Sequence, residues 1–361
     1  MKSLLEELPN VDPTISAWPW TEETDPCIYQ ADIQYPKISI VTPSLNQAIF
    51  LEQTIRSVLL QNYPNLEYII IDGGSTDGSL EIIKKYEPWL TYWISEEDEG
   101  QAQAINKGLK HCTGIVFNWL NSDDWYLPNV LEAIGRIFAQ NLNLQAFCGQ
   151  QYIQFHDGEI ILSPPSPVEK TLEATLSLTH INQPATFFHL HTLQTLLPLR
   201  EDFHYLFDAE IWLRFLLKYG QKYIHSNKLI INYFRIHKDS KTYQKNADFN
   251  REKLYLLRAL ALSCGIYEWM PNHILNNLEL ERRLKEIFGN IQTQLLDEVK
   301  LQKNLLYRCF KERFGARDFQ YCRSILRKIV FFKMNNWRFG LQKISLLLPD
   351  SLLLKLANRE K

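Results

Sequence analysis

Two adjacent carboxylates, Asp123 and Asp124, stand in the stretch Trp119-Leu120-Asn121-Ser122-Asp123-Asp124-Trp125-Tyr126. They follow an apolar run, Ile115 to Leu120, that reads as a buried strand. Sheets of α/β proteins bind ligands beyond the carboxyl ends of their strands, so the position suits a site. Neighbouring acids repel, and the pair is costly unless a cation or ligand hydroxyls satisfy it. Hard oxygen donors suit Mg²⁺ or Mn²⁺, and such an ion typically also holds substrate phosphates. Ser122-Asp123-Asp124 would equally serve as a helix cap before Pro128. These residues alone leave the cap and the metal site both open.

Other residues capable of chemistry recur at the ends of strand-like runs. Lys37 to Val41 is a β-branched run that ends in Thr42-Pro43-Ser44-Leu45-Asn46. Leu66 to Ile71 is a second strand and leads into Asp72-Gly73-Gly74-Ser75-Thr76-Asp77-Gly78-Ser79, where glycine permits positive φ and the acids and hydroxyls can cap the next helix. Tyr92-Trp93-Ile94 makes a third strand before the acidic loop Ser95-Glu96-Glu97-Asp98-Glu99-Gly100. Helices follow the loops: Leu51, Ile55, Val58 and Leu59 keep helical spacing, and another helix is expected from Gln101 to Lys110. Strand, loop and helix repeated four times predict βα units, a mostly parallel central sheet flanked by helices, and all four polar loops at one sheet edge. Thr42 to Gln47 contains no glycine, so neither a dinucleotide fingerprint nor a P-loop is present, and a metal is the better phosphate partner.

Further along, a helix is expected from Pro128 to about Gln140, a strand from Gln145 to Gln150, and a hairpin across Asp157-Gly158. Ile181 to Phe188 reads as an edge segment, because Pro184 lacks the donor a central strand requires. Phe207 to Lys218 reads as a helix with Asp208, Ile211, Trp212 and Phe215 on one broad face. An acid among aromatics suits chemistry, and an N-terminal acid also suits the helix dipole; both readings stay open. Leu229 to Phe234 reads as a strand leading to Arg235-Ile236-His237-Lys238.

The 361 residues carry 22% charged side chains and a formal charge of −2, so nothing global points to nucleic acid as a partner. The six cysteines (27, 112, 148, 264, 309 and 322) show no Cys-x-x-Cys spacing, which favours a reducing, cytoplasmic setting over a zinc site or a disulfide scaffold. No apolar run approaches a membrane span, and the N-terminus lacks the apolar core of a signal peptide. Three regions are expected: an N-terminal arm over 1–36, an α/β domain over 37–244, and a helical, basic region over 245–361. Cys322, Ile325, Ile329 and Phe332 keep helical spacing there, with Arg323, Arg327 and Lys328 elsewhere on the wheel. Such a helix can pack on the protein or lie peripherally on the anionic inner face of a membrane.

From about Pro36 to Lys241 the chain resembles the family 2 glycosyltransferases of the GT-A fold. The likeness rests on Ser39 to Asn46, Asp72 to Ser79, Ala104-Ile105-Asn106-Lys107-Gly108, Trp119 to Asp124, His204-Tyr205 with Asp208 to Arg214, and Tyr233 to His237. The resemblance implies a nucleotide-sugar-binding α/β fold and an inverting, metal-dependent transfer to a hydroxyl of a glycan or lipid-linked acceptor. It implies that Asp72 recognises the nucleotide base, with Thr42, Ser44, Asn46 and Ser75 beside it. Asn106, Lys107, Asp123 (to ribose) and Arg235 complete the donor side. Asp124 and His237 would hold Mn²⁺ or Mg²⁺, Asp208 would be the catalytic base, and Gln183, His204 and Trp212 would face the acceptor. The chain departs from the family's pattern at Phe207 and Ile105, where many members carry Glu and Arg; nothing adjoining Asp208 in sequence then raises its pKa, and Lys107 becomes the candidate for the missing contact. A sugar nucleotidyltransferase would want a Gly-rich basic loop after the first strand, and a non-catalytic nucleotide-sugar-binding subunit would have lost the acid pair or the base.

Overall fold

A computed structural model of the chain describes residues 3–11, 14–244, 246–263, 296–297, 300–302, 304–305 and 307–308. The basic helix expected over 322–332 lies outside the described residues. Packing divides the chain into two compact units: residues 1–167, 180–215 and 221–252 form the first, and 168–179, 216–220 and the residues after 252 belong to the second. Two short stretches from within 37–244 thus go with the second unit.

The first unit is built on one mixed sheet. Its strands are β1 (Ile38–Ser44), β2 (Leu66–Asp72), β3 (Tyr92–Ser95), β4 (Val116–Trp119), β5 (Trp125–Tyr126), β6 (Ala146–Phe155), β7 (Ile160–Ser163), β8 (Thr186–His189) and β9 (Ile224–Ile236). Spatial order is β3-β2-β1-β4-β8-β6-β9-β5, with β7 beside β6. The helices in chain order are α1 (Leu4–Glu7), α2 (Ala48–Leu59), α3 (Ser79–Tyr86), α4 (Gln101–Leu109), α5 (Val130–Gln140), α6 (Leu172–Leu178), α7 (Leu190–Gln194), α8 (Phe207–Tyr219), α9 (Lys241–Gln244) and α10 (Asn246–Ser263).

The half of the sheet made of β3, β2, β1 and β4 is parallel throughout, as the βα repeat demands. Every residue of β1 is buried, which fits a strand covered on both faces. Gly108 lets α4 close onto that sheet, because a Cβ there would stand 2.6 Å from Val41 Cγ1. The other half departs from a mostly parallel sheet. β8 runs antiparallel to both β4 and β6, β5 runs antiparallel to β9, and only β6 and β9 pair in parallel. The predicted edge segment is also corrected: β8 lies inside the sheet, and Pro184 sits in a 3₁₀ turn, Gln183–Ala185, where its missing N–H costs no ladder bond. The helix expected from Pro128 begins at Val130, after Asn129 takes a left-handed conformation with φ 64°.

The core combines Ile38, Ile40, Ile70, Leu51, Ile55 and Val58 with Tyr126, Ile134 and Phe187. The N-terminal arm is fixed to it through α2. Arg56 is buried and donates from Nε to the Pro19 carbonyl (3.0 Å), and from its terminal nitrogens to Trp20 O (3.2 Å), Pro9 O (3.3 Å) and the Tyr86 hydroxyl (3.2 Å). Trp18 Nε1 donates to the Tyr126 carbonyl at 2.7 Å. In the second unit, Glu173 on α6 accepts the Asp297 N–H at 3.1 Å and pairs with Lys300 at 3.3 Å.

Candidate active site

The four loops that follow β1 to β4 meet at one edge of the sheet and bond to one another. Asn46 N donates to Ser75 Oγ (2.7 Å), Thr76 N to Asn46 Oδ1 (2.8 Å), Ser95 Oγ to Asp72 Oδ2 (2.6 Å), and Gln101 Nε2 to Asn121 Oδ1 (2.6 Å). Beyond them lies a cavity of about 360 Å³, a size ordinary for a small-molecule site. Its walls include Ser44, Asp98, Asp123, Gln183, Asp208 and Arg235. Trp119, Tyr205, Phe207, Phe234 and Phe249 add aromatic surface, and Lys241 adds a second cation beside Arg235.

Asp123 and Asp124 divide their tasks. Asp123 lines the cavity, and its Oδ2 lies 3.1 Å from His237 Nε2. Asp124 has no exposed surface: Oδ1 accepts the Arg235 backbone N–H (2.9 Å) and Oδ2 accepts from Asn121 Nδ2 (3.3 Å). Burial, reinforced by the Asp123 charge, raises its carboxyl well above the ordinary range. The turn is anchored from α2, where Thr54 Oγ1 donates to the carbonyls of Ser122 (2.9 Å) and Asp124 (2.6 Å). Both Asp124 oxygens accept bonds from within the protein, and of the pair it is Asp123 that lines the cavity. The two donors that do converge, the Asp123 carboxylate and the His237 imidazole, fit a divalent ion that completes its shell with water and phosphate oxygens. Among the described residues no cluster of three such side chains forms a cage by itself.

Arg235 is held for presentation. Its guanidinium carbon lies 4.2 Å from the Phe50 ring centre and 4.4 Å from that of Trp125, while one terminal nitrogen donates to Gln53 Oε1 at 2.6 Å. Its Nη1 is buried with no partner among the described residues. Such a clamped guanidinium, with a donor left over, suits an anionic ligand group.

Asp208 occupies the first turn of α8 and faces the cavity. Ile211, Trp212 and Phe215 bury the rest of that face. Its carboxyl is pushed up to about 7 by burial, with the Ala209 N–H and Lys241 opposing and the Glu252 charge adding to the rise. The ordinary pKa expected from its sequence neighbours is thus replaced by one set by packing.

Several expected site residues serve the frame instead. Asp72 is fully buried and accepts from Gly74 N, Ser75 N, Ser75 Oγ and Ser95 Oγ, so it shapes the loop and shows no surface to a base. Gly74 beside it holds φ 83°, which a side chain would strain. Thr42 is buried against the Tyr68 hydroxyl (3.1 Å). Asn106 bonds Leu199 and Glu201, and Lys107 pairs with Glu96 at 2.8 Å. Asn46 and Ser75 knit their two loops together. Trp212 is corrected as an acceptor contact: it is buried, stacked on Phe215 (5.2 Å) and edge-on to Phe188 (6.1 Å). Gln183 reaches the cavity but commits its amide to Asn118 Oδ1 (2.8 Å) and Trp119 O (2.7 Å). His204 borders a small adjoining recess with Lys241.

Asp98 and Lys241 were not assigned roles by sequence reading. Asp98 stands in an acidic loop that reads as solvated, yet it lines the cavity, and burial raises its carboxyl against the Gly100 N–H bond. Gly100, with φ 136° at the start of α4, was the available signal for a shaped loop there. For Lys241 the sequence offered none.

The mixed α/β sheet with its loop cluster and cavity has the fold of the GT-A kind. Residues 39–195 match the model of Glycosyl transferase family 2. Among curated relatives, an uncharacterized glycosyltransferase of Rickettsia typhi is 28% identical over 192 residues, 50% of this chain and 59% of its own. The putative teichuronic acid biosynthesis glycosyltransferase TuaG of Bacillus subtilis is 33% identical over 148 residues, 40% of this chain and 56% of its own. The chain thus spans less than two thirds of the length of these relatives. In fold it is similar to the crystal structure of S. aureus TarS 1-349 in complex with UDP-GlcNAc, with a TM-score of 0.52 and 15% identity over 83% of this chain and 93% of that one.

Proposed function

We propose that this protein is an inverting glycosyltransferase that moves a sugar from a nucleoside-diphosphate-sugar donor to a hydroxyl of a glycan or lipid-linked acceptor, in polysaccharide or other glycan assembly. The observation that carries the reading is the joint placement of Asp123 and Asp208 on one cavity, with Asp208 titrating at about 7. A general base works best when its pKa lies near the operating pH. The Asp208 carboxylate takes the acceptor hydroxyl proton as that oxygen forms its bond to the anomeric carbon. The bond from that carbon to the diphosphate oxygen breaks, and the nucleoside diphosphate leaves with the electron pair. Arg235 meets the developing negative charge from its aromatic clamp. Asp123 and His237 would hold Mn²⁺ or Mg²⁺, which supplies further charge stabilisation to the diphosphate. The aromatic side chains offer faces against which sugar rings pack.

The printed names of the relatives, teichuronic acid biosynthesis above all, favour a polysaccharide product, and the UDP-GlcNAc bound by TarS makes UDP-sugars the first donors to try. The rival enzyme reading, a sugar nucleotidyltransferase, has no support in the Ser44-Leu45-Asn46-Gln47 loop, which carries neither glycine nor a basic residue. The region from 300 to 361 is read as a peripheral contact with an anionic membrane, at its cytoplasmic face. Release of nucleoside diphosphate from a panel of UDP-, GDP- and dTDP-sugars, with Mn²⁺ and with chelator, tests the reading. One donor should be turned over by the wild type and not by Asp208→Asn. Equal turnover by that variant, or no donor turned over at all, overturns it.

A further inference from the structure

The loop that leads into α8 is fastened by residues beyond the family-matched segment and beyond every motif of the resemblance. Glu252, on α10, is 8% exposed, and its carboxylate accepts three consecutive backbone N–H groups. His204 N donates to Oε1 at 2.9 Å; Tyr205 N (2.9 Å) and Leu206 N (2.7 Å) share Oε2. Phe249, three residues earlier on the same helix, sets its ring 5.1 Å from that of Tyr205. Lys241 Nζ donates to the His204 carbonyl at 3.2 Å from the other side. Leu206 in turn accepts the Glu210 N–H at 2.9 Å, so the residue that Glu252 grips also starts the helical hydrogen bonding of α8. Asp208 follows two residues later.

Three successive N–H groups pointing one way repel one another and require an acceptor. A carboxylate supplies charge-assisted bonds, stronger than neutral ones, and among the described residues Glu252 is the acceptor that all three groups meet. The loop has no regular structure of its own to hold its place. We propose that Glu252 is the positioning residue for Asp208: by gripping His204, Tyr205 and Leu206 it fixes where the first turn of α8 presents its carboxylate in the cavity. The proposal rests on the reading of Asp208 as the base. Glu252 also acts on that carboxylate through space. Its negative charge raises the Asp208 pKa, whereas Lys241, from α9, lowers it.

Glu252→Gln keeps the side chain's length and removes the charge, and its amide NH₂ cannot accept from the loop. Hydrogen exchange should quicken at least tenfold at residues 204–206 and stay unchanged over 38–195. The ¹³C resonance of the Asp208 carboxyl, assigned with Asp208→Asn, should titrate at lower pH than in the wild type. With a donor that the wild type turns over, kcat should fall roughly 10–100-fold, the scale of a misplaced catalytic group, while UDP affinity in Mn²⁺ holds within about twofold. Glu252→Asp retains the charge, so its Asp208 titration should stay near wild type while exchange at 204–206 still rises. Unchanged exchange at 204–206 and an unchanged Asp208 titration in Glu252→Gln overturn the proposal. So does a uniform rise in exchange with a lower Tm, which marks a merely structural role. Exchange and titration need no turnover, so undiminished kcat in Asp208→Asn would remove the base reading without deciding what Glu252 holds.

Discussion

Asp208 has to ionise in a place that disfavours its charge, and that conflict makes it testable. A native pKa of about 7 against an unfolded value of 3.8 means the folded state holds the proton more tightly. The associated stability is fully present below pH 3.8 and is lost as pH rises through about 7. Asp208→Asn removes that loss. Its unfolding free energy should match the wild type near pH 3.5 and exceed it at pH 8 by about 1–3 kcal/mol, once the carboxyl's remaining solvent contact is allowed for. The same substitution should lower kcat by roughly 10²–10⁴-fold, and wild-type kcat should climb with pH through 7. A helix cap predicts no loss of kcat, because Asn caps as well as Asp, whereas the stability change follows from burial in either case. The acid pair gives a second contrast, read by calorimetry with UDP and Mn²⁺ beside a thermal melt. Asp123→Ala should abolish metal-dependent nucleotide affinity at an unchanged Tm. Asp124→Ala should lower Tm instead, since it leaves the Arg235 N–H unpaired in the interior. Which acid lines the cavity was not legible from composition or spacing. Adjacent residues in a turn point different ways, and the choice was made by Thr54, Asn121 and Arg235, two of them distant in sequence.

At the scale of elements, the parallel half of the sheet was readable because each of its strands is a run of apolar residues followed by a polar turn and an amphipathic helix. The second half was not. β8 is four residues long and is placed by its partners β4 and β6, not by any period of its own. β6 and the first strand of the expected hairpin are one strand, with register shifts between Cys148 and Gln151 whose one mark in the sequence is Gly149. The polar loops gathered as expected, yet most of their polar side chains bind one another. Asp72, Asn46, Ser75, Asn106 and Lys107 all have partners within the protein, a pairing that composition alone does not show. The arm is a comparable case: its anchor, Arg56, lies on α2 and looks in sequence like an ordinary surface cation. Arg56→Ala should release three carbonyls, one buried and two partly buried, and cost about 3 kcal/mol. Limited proteolysis should then cut between residues 9 and 24 in the variant and not in the wild type; equal protection of both would show that the arm is held by its tryptophans alone.

Over the whole molecule the formal charge of −2 conceals a division. Residues 300–361 carry 15 Lys and Arg against 4 Asp and Glu, whereas residues 1–299 carry 24 against 37. A balanced total thus joins an acidic body to a strongly basic end, which also bears the apolar Leu346 to Leu348 and Leu352 to Leu354 on either side of Pro349. Among the described residues no helix is long and apolar enough to cross a membrane. Attraction of such an end to an anionic bilayer is worth about 1 kcal/mol per basic residue near the surface and decays within a Debye length of roughly 10 Å at 0.1 M salt. The acidic body is repelled by the same surface, so the chain should bind by this end alone. Flotation with phosphatidylserine vesicles should therefore carry the protein upward at low salt and release most of it at 0.5 M. A chain ended at residue 299 is a poor control, because the second unit draws on residues beyond it. Replacing Arg323, Arg327, Lys328 and Lys333 with glutamine removes charge and keeps length, and it should weaken flotation while leaving UDP affinity unchanged. Binding that ignores both salt and these substitutions would assign the contact to the leucines, and no flotation at low salt would leave the basic end to a protein or glycan partner.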